Sequence, residues 1–559
     1  MRKSAFFIVL SCIGVGLFIP TWFFGLVAYD DPWLIQNNAA LRYLTWQEFV
    51  GLWTDLSAEF RVRVGAEYLP VRDLSIALDF WLFGSWYPGF HVVNTLLYGV
   101  ACGLVGCLIQ QWTGQARLAW LTGLLFATHP IHVEAVAWLS ERKGLFCAVF
   151  VLSASLTFHR FVTSRTIRSA VLTALFCVLA VWSKAVGVMT PVWLAAIGWW
   201  WSTASPVQRG KVCLGWFGIL IVTGAAFVPV WLVGQSVGMV GDRPTPVQGA
   251  EIIALLHAHY AKLLALIGPF GIRYPLDRQD PATAQVLLGS AIIVVLLLAL
   301  GTARTPRTLK VAVATWGIFF APVSHLLAPL QNLAADRYML LPGLGWCITL
   351  GYGLQTVLDL RLGKALASTL IAVQMLLSAI QTQTWRSTET LFRHALVVDP
   401  NHGPAMIQLA LVAQTKRDDV AVWQWLDHAE QIPETRSRAL MHKGLVLARQ
   451  HQVQQSLYYL EQAARDPQAD KAQANLAQAL LRYGQRKSAL IWARRAVTLR
   501  PLVEHNQRTL GNVALANGYY SEALRAYCEA LKLNPDNPQN ARNLLRVYDV
   551  TDFPAESCP

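Results

Sequence analysis

The sequence predicts an all-α protein in two parts: a polytopic membrane bundle over residues 1–384 and a soluble α-solenoid over residues 385–559. Three observations predict it. Apolar runs recur through the first part at the length a bilayer demands, about 20 residues. Basic residues gather in alternate loops between those runs. From about residue 385 the runs stop and a fixed 34-residue period begins.

Taking the bundle first, 54% of the 559 residues are hydrophobic and 14% charged, against roughly 25% charged in a soluble domain. The mean hydropathy is +0.39. Candidate spans cover 5–28, 91–112, 117–128, 144–161, 169–183, 187–201, 212–234, 284–302, 310–328, 342–359 and 365–381. No small-residue cleavage site follows the first, so it reads as a retained helix rather than a signal peptide. The net charge of +13 could suggest nucleic acid, but its placement excludes that class. Arg2 and Lys3, Arg117, Arg160/Arg165/Arg168, Arg209/Lys211, Arg304/Arg307/Lys310 and Arg361/Lys364 fall in alternate loops, as the positive-inside bias produces. About eleven spans with a cytoplasmic N-terminus place YDDPW, THPIHVEAVAWLSERKG, the segment 235–283, LQNLAADRYMLLP and everything after residue 384 on the outer side. The chain is thereby expected in a bacterial inner membrane with its repeats periplasmic, an expectation to which the absence of N-x-[ST] sequons adds. Seven of the nine cysteines sit in or beside apolar runs, as small hydrophobes do. Cys528 and Cys558 alone fall in the tail, leaving room for one bridge.

In the tail, Pro400, Pro433, Pro467, Pro501 and Pro535 are spaced 33, 34, 34 and 34 residues apart. Gly484 and Gly518, Ala489 and Ala523, and Ala496 and Ala530 keep the step. Small residues let paired helices approach, and proline ends each second helix. This is the tetratricopeptide signature. LGNVALANGYYSEALRAYCEALKLNP (510–535) is its clearest unit, whereas 401–433 reads as degenerate. Such stacks present a concave face suited to extended peptides, so a peptide or partner protein is expected to bind there.

The chemistry is expected in the outer loops. Asp30 and Asp31 in YDDPW follow the first span. About 60 residues then follow that are too polar to span and rich in aromatic rings; they predict short interfacial helices. In THPIHVEAVAWLSERKG, Pro130 suits the first position of a helix with His129 as its cap. His129 and His132 can share a face, but Glu134 lies about 200° around from His132 on a regular helix. One helix therefore offers no three-ligand metal site; the histidines can donate hydrogen bonds or shuttle protons. Arg142, Lys143, Lys184 and Arg337 are cations at outer boundaries, against the charge bias, and each needs a partner. Together they suit a lipid phosphate, with Arg72 a lesser candidate.

YDDPWLIQNN, YLPVRDLSIALDFWLFGSWYPGFHVVNTLLY, HPIHVEAVAWLSERKGLF, AADRYMLLPGLG and WRSTETLFRHALVVDP, in that order, resemble the transmembrane and tetratricopeptide-repeat O-mannosyltransferases of the GT-C superfamily. The resemblance covers nearly the whole chain. It departs at SKAVGV, where the family commonly has an acidic residue after the lysine, and the repeat array is shorter than in animal members. The resemblance implies a membrane glycosyltransferase that moves a sugar, mannose in the family, from a polyprenyl-phosphate donor to Ser/Thr hydroxyls on the outer face. It maps the catalytic base to Asp30, with Asp31 orienting it or touching the acceptor. His129, His132 and Glu134 then shape the sugar or acceptor site. A divalent cation, Mg or Mn, serves some GT-C enzymes near these acids and not others. Two rivals remain: the same chemistry on a lipid or surface glycan, and a non-catalytic scaffold for envelope or pilus assembly. A transporter is disfavoured, since no Gly/Pro-broken spans repeat between two halves.

Overall fold

The computed structural model describes residues 3–201, 206–238, 245–277, 280–326, 329–550 and 558, with 3 and 206–214 in backbone only. Of the basic residues above, Arg2 lies outside the described residues, and the side chains of Lys3, Arg209 and Lys211 are not among them. Every described regular element is a helix. The chain forms two compact units. One comprises Met1–Asn37, Leu41–Thr54 and Glu67–Asp399; the other comprises Asn38–Ala40, Asp55–Ala66 and Pro400–Pro559.

In the first unit the predicted apolar runs are mostly helical; residues 24–27 of the first are not, and residues 327–328 of the run 310–328 lie outside the described residues. Among the described residues six helices are long and apolar enough to cross a membrane: Ser4–Phe23, Tyr87–Thr113, Leu139–Ser164, Gly215–Ser236, Thr283–Gly301 and Arg361–Thr384. Ala116–Thr128, Ile167–Ser183 and Ala185–Trp201 are shorter apolar helices. The predicted spans 310–328 and 342–359 form helices of 14 and 16 residues, Arg307–Phe320 and Pro342–Val357. At 1.5 Å per residue, 16 residues reach about 24 Å, short of the ~30 Å hydrocarbon core. The described helices therefore show six full-length spans, and the count of eleven stands as an expectation.

The first helix is seated by missing methyl groups. A Cβ on Gly99 would lie 2.9 Å from the Ser11 carbonyl oxygen, and one on Gly103 2.7 Å from that of Phe7. Gly14 faces back, 2.9 Å from Cys102 Sγ on the same measure. Small residues at this spacing let helices meet backbone to backbone, the main source of adhesion where lipid removes any hydrophobic preference. At one end of the bundle Arg117 pairs with Asp359 at 2.9 Å, so two of the predicted basic loops lie side by side. At the other end the loops after residues 23, 128, 183 and 333 converge.

The segment after Asp31 forms the helices Ala39–Arg42, Trp46–Thr54, Ala58–Val64 and Pro70–Phe83, short as expected. Trp46, Trp81 and Tyr43 are exposed, as aromatic rings in a bilayer interface would be.

The second unit stacks helix pairs: Gly403–Thr415 with Asp419–Glu430, Arg436–Arg449 with Val453–Ala464, Asp470–Arg482 with Arg486–Leu499, and Glu504–Ala516 with Tyr520–Leu533. Pro538–Tyr548 follows alone. The stretch read as degenerate makes a complete pair. Pro433, Pro467, Pro501 and Pro535 each fall just beyond a second helix, as predicted. Ala410, Gly444, Ala477 and Gly511 keep the repeat step on the first helices; a Cβ on Gly511 would sit 2.5 Å from the Tyr527 ring. The turn inside each pair needs a positive φ, met by Gly484 (+81°) and Gly518 (+80°), but by Arg417 (+59°) and His451 (+60°) in the first two pairs. A β-carbon makes that conformation unfavourable, which is why 401–433 read as irregular. Cys528 is bonded to Cys558. A cleft of about 600 Å³ opens against Tyr458, Tyr459, Arg436 and Asp466.

Candidate active site

Asp30 and Asp31 are adjacent in sequence and opposite in environment. After the turn Ile19–Phe23 the chain re-enters the unit, and Asp31 is 1% exposed. Its Oδ1 accepts from the Ser140 amide at 3.2 Å and the Ser140 hydroxyl at 2.5 Å, while Oδ2 accepts from the Val27 amide at 3.1 Å. Burial pushes its carboxyl up to about 6, and the bonds from Ser140 and Val27 oppose the shift. Asp31 thus fastens the first outer loop to the SER turn before Arg142. Asp30 is half-buried. Burial raises its carboxyl above the ordinary value, opposed by a hydrogen bond from Trp33 and by the charges of Lys143 and Arg337. It therefore lies within the electrostatic reach of both cations.

Each predicted cation has an acid. Arg337 donates from Nη1 to Glu134 Oε1 at 2.5 Å and from its amide to Glu134 Oε2 at 2.8 Å, and its Nε lies 3.7 Å from Glu141 Oε2. Trp138 and Tyr338 flank the guanidinium, each ring centroid 5.1 Å away. Burial would lower its pKa, but Glu134, Tyr338, Tyr29 and Glu141 hold it firmly charged. Lys184 pairs with Glu141 Oε1. Lys143 pairs with Glu67 Oε2 at 2.7 Å, an oxygen shared with Arg72 at 2.6 Å. Burial alone would raise Glu67, yet Lys143 and Arg72 draw it down to about 2.

Arg142 is separate. It is buried against Asp79, with Nε donating to Asn94 Oδ1 at 2.7 Å and Nη2 to the Phe90 carbonyl at 2.9 Å. Arg72 is as buried, also held by Asp73 at 2.7 Å. Both are held on several sides, whereas Lys143 and Arg337 act on Asp30 and Lys184 joins Arg337 through their shared partner Glu141.

The histidines sit deeper. His129 Nδ1 accepts from the Ile131 amide at 3.2 Å, the predicted cap, and its Nε2 lies 3.2 Å from the Leu264 carbonyl. His132 Nδ1 is 3.0 Å from both the Tyr98 hydroxyl and the Phe126 carbonyl. Burial lowers them to about 4 and about 3, so both are neutral near pH 7. The backbone here is not one helix but a tight turn Pro130–His132, a helix Val133–Ala137 and a second turn Leu139–Glu141. That broken path sends Glu134 toward Arg337 and His132 toward Tyr98, the divergence expected from their spacing.

A cavity of about 20 Å³ adjoins the cluster, lined by Lys184, Arg337, Tyr338 and Gly144 and by the apolar Val186 and Leu341. That is roughly room for one water. Two cations line its polar wall and apolar side chains the rest. Among the described residues no group of three or more His, Cys, Asp and Glu side chains is placed to hold a metal ion. Glu67 and Glu141 complete the cluster, and the sequence reading did not single them out. The signal was the demand that boundary cations find partners; nothing in the sequence said which acids would meet it.

Fold and site together define a polytopic membrane protein with an acid–cation cluster at one end of its bundle and a tetratricopeptide-like repeat unit. The chain is similar to the human "Protein O-mannosyl-transferase TMTC4", 25% identical over 445 residues, covering 67% of this chain and 59% of that protein. It is similar also to the mouse "Protein O-mannosyl-transferase TMTC3", 24% identical over 615 residues, covering 97% of this chain and 64% of that protein. A stretch of 144 residues is 31% identical to the Xenopus laevis "Protein O-mannosyl-transferase tmtc2", 24% of this chain and 16% of that protein. The curated relatives of this chain are thus protein O-mannosyl-transferases, and the chain spans about three-fifths of the length of the first two. No family model matches. Among solved structures, that of Pseudomonas aeruginosa pilF aligns with 29% of this chain and 75% of that chain at 19% identity and a TM-score of 0.26, too slight to extend the reading.

Proposed function

We propose that this chain is a membrane glycosyltransferase that moves a sugar, mannose by analogy with its relatives, from a polyprenyl-phosphate carrier to Ser/Thr hydroxyls of a protein. The observation that carries the reading is the meeting of Asp30 with Lys143 and Arg337, beside a cavity where Lys184 and Arg337 face apolar side chains. A hydroxyl is a poor nucleophile until a base takes its proton. In the proposed step Asp30 accepts that proton, the oxygen attacks the anomeric carbon, and the bond from that carbon to the phosphate oxygen breaks. The polyprenyl phosphate leaves with the bonding electrons, its charge met by Lys184 and Arg337. A single displacement inverts the anomeric centre and needs no second carboxylate.

The repeats would hold the acceptor peptide, and the mixed tyrosine and charged lining of the 600 Å³ cleft supports that role. The Cys528–Cys558 bond supports placing them in an oxidising compartment, the periplasm in a bacterium, on the side the charge bias assigns.

The test is transfer by the full chain in nanodiscs from a mannosyl polyprenyl phosphate to Ser/Thr peptides, read by intact mass. Asp30→Asn should lower the rate about 10²–10⁴-fold with an unchanged melting point. A variant as fast as wild type would remove Asp30 from the base role.

A further inference from the structure

A carrier phosphate joining this cluster adds a negative charge to a site whose cations are already matched. Lys143 faces Glu67, Lys184 faces Glu141, and Arg337 faces Glu134 and Glu141. Asp30 adds a further carboxylate. An incoming anion must therefore win its cations from a resident acid, and the three resident acids are not equally held. Glu134 is bound through both oxygens to Arg337 at 2.5 and 2.8 Å. Glu67 receives Arg72 at 2.6 Å and Lys143 at 2.7 Å on one oxygen. Glu141 is bonded through Oε1 to Lys184, but its Oε2 is buried with no hydrogen-bond partner and stands 3.7 Å from Arg337 Nε.

Its position fits the same reading. Gly144, which lines the cavity, sits so close that a Cβ there would meet Glu141 Oε1 at 2.7 Å and Lys184 Nζ at 3.6 Å. The side chain is 1% exposed, so its carboxylate stands between both cations of the cavity wall without bulk water to screen it. A phosphate oxygen reaching Lys184 or the Nε edge of Arg337 replaces this carboxylate and no other.

We propose that Glu141 is the built-in counter-ion of the carrier-phosphate site: its carboxylate holds Lys184 and Arg337 when no phosphate is bound, and gives them up to the phosphate of a polyprenyl carrier. The inference rests on the donor reading above and adds a direction to it. A resident carboxylate keeps two part-buried cations satisfied between turnovers, since an unpaired charge withdrawn from water is costly. It also competes with the departing monophosphate, which carries more charge than the donor diester and would otherwise be held the tighter. Glu141 is in this sense a positioning residue, acting through Lys184 and Arg337.

The experiment measures binding of a long-chain isoprenyl monophosphate, and of the matching isoprenol, to the full chain in detergent by native mass spectrometry. Wild type should prefer the monophosphate. Glu141→Gln, which removes the competing charge, should bind it roughly tenfold tighter with isoprenol unchanged, a selective gain that a merely structural role does not produce. Glu141→Asp, whose shorter carboxylate cannot serve both cations, should fall between. Monophosphate affinity equal to or below wild type in both variants, at wild-type melting points, would overturn the counter-ion while leaving the donor site standing. Absence of any preference for monophosphate in wild type would overturn both.

Discussion

Arg142 and Arg337 are buried guanidiniums in the same unit, and both were predicted to face a lipid phosphate. Arg142 is closed in by Asp79, Asn94 and the Phe90 carbonyl, and no cavity lies beside it among those described. Arg337 has one face on Trp138, another on Tyr338, a firm acid in Glu134, a loose one in Glu141 and an edge on a cavity. Depth separates them only a little, at 1% and 10% exposed. The state of their partners does more: a cation whose donors are all met at short range fastens structure, while one met by a carboxylate at 3.7 Å keeps capacity for a ligand.

The largest expected effect falls on the closed side. Arg142→Met strands Asp79 and should destabilise the first unit by about 3–5 kcal/mol, seen as a lower melting point. The double variant Arg142→Met/Asp79→Leu should recover most of the loss. If Arg142→Met instead melts as wild type and loses monophosphate binding, the contrast between the two arginines is reversed. On the open side, Lys184→Gln should weaken isoprenyl monophosphate binding about tenfold, one charge-assisted hydrogen bond, with little change in melting. A large melting loss there would move Lys184 to the structural set.

The two aspartates sharpen the same contrast through pH. Asp30 must be ionised to act as a base, and burial raises its carboxyl, so the rate should fall on acidification at a pH above the ordinary carboxylate range. Asp31 works the other way. Its folded-state value of about 6 stands above the free value of 3.8, so its contribution to stability is fully present below the free value and is lost as pH rises through about 6. Between pH 7 and 4.5 the rate should drop, while Asp31 alone should raise the melting point by a few degrees. That gain should vanish in Asp31→Asn. A rate flat to pH 4.5 would break the assignment of Asp30.

The helices and the repeats were legible because their signals are periodic and local: apolar length for the bundle, proline and small residues at a 34-residue step for the tail. The first repeat is degenerate in sequence yet helical in structure: Arg417 occupies the turn, as His451 does in the second, where Gly484 and Gly518 mark the later ones. The site was legible only as an inventory. Asp30 lies within the electrostatic reach of Lys143 and Arg337, and Glu134, expected beside the histidines in the sugar or acceptor site, instead pairs with Arg337. The separate fates of Asp30 and Asp31, and of Arg142 and Lys143, depend on which way neighbouring residues turn where helix geometry breaks. Glu67 and Glu141 were hidden because a partner acid can lie anywhere in the chain; Glu134 and Arg337 are 203 residues apart.

The glycine seam beneath the first helix gives the chemistry an unexpected dependence. Asp30 is carried at the end of a strut whose placement is decided by absent atoms at Gly99 and Gly103. Adding one methyl group there would displace the whole strut, and with it the proton acceptor, without altering a single ionisable group. On the proposed mechanism, drift at helix-contact glycines that bear no chemistry would silence transfer as surely as loss of Asp30.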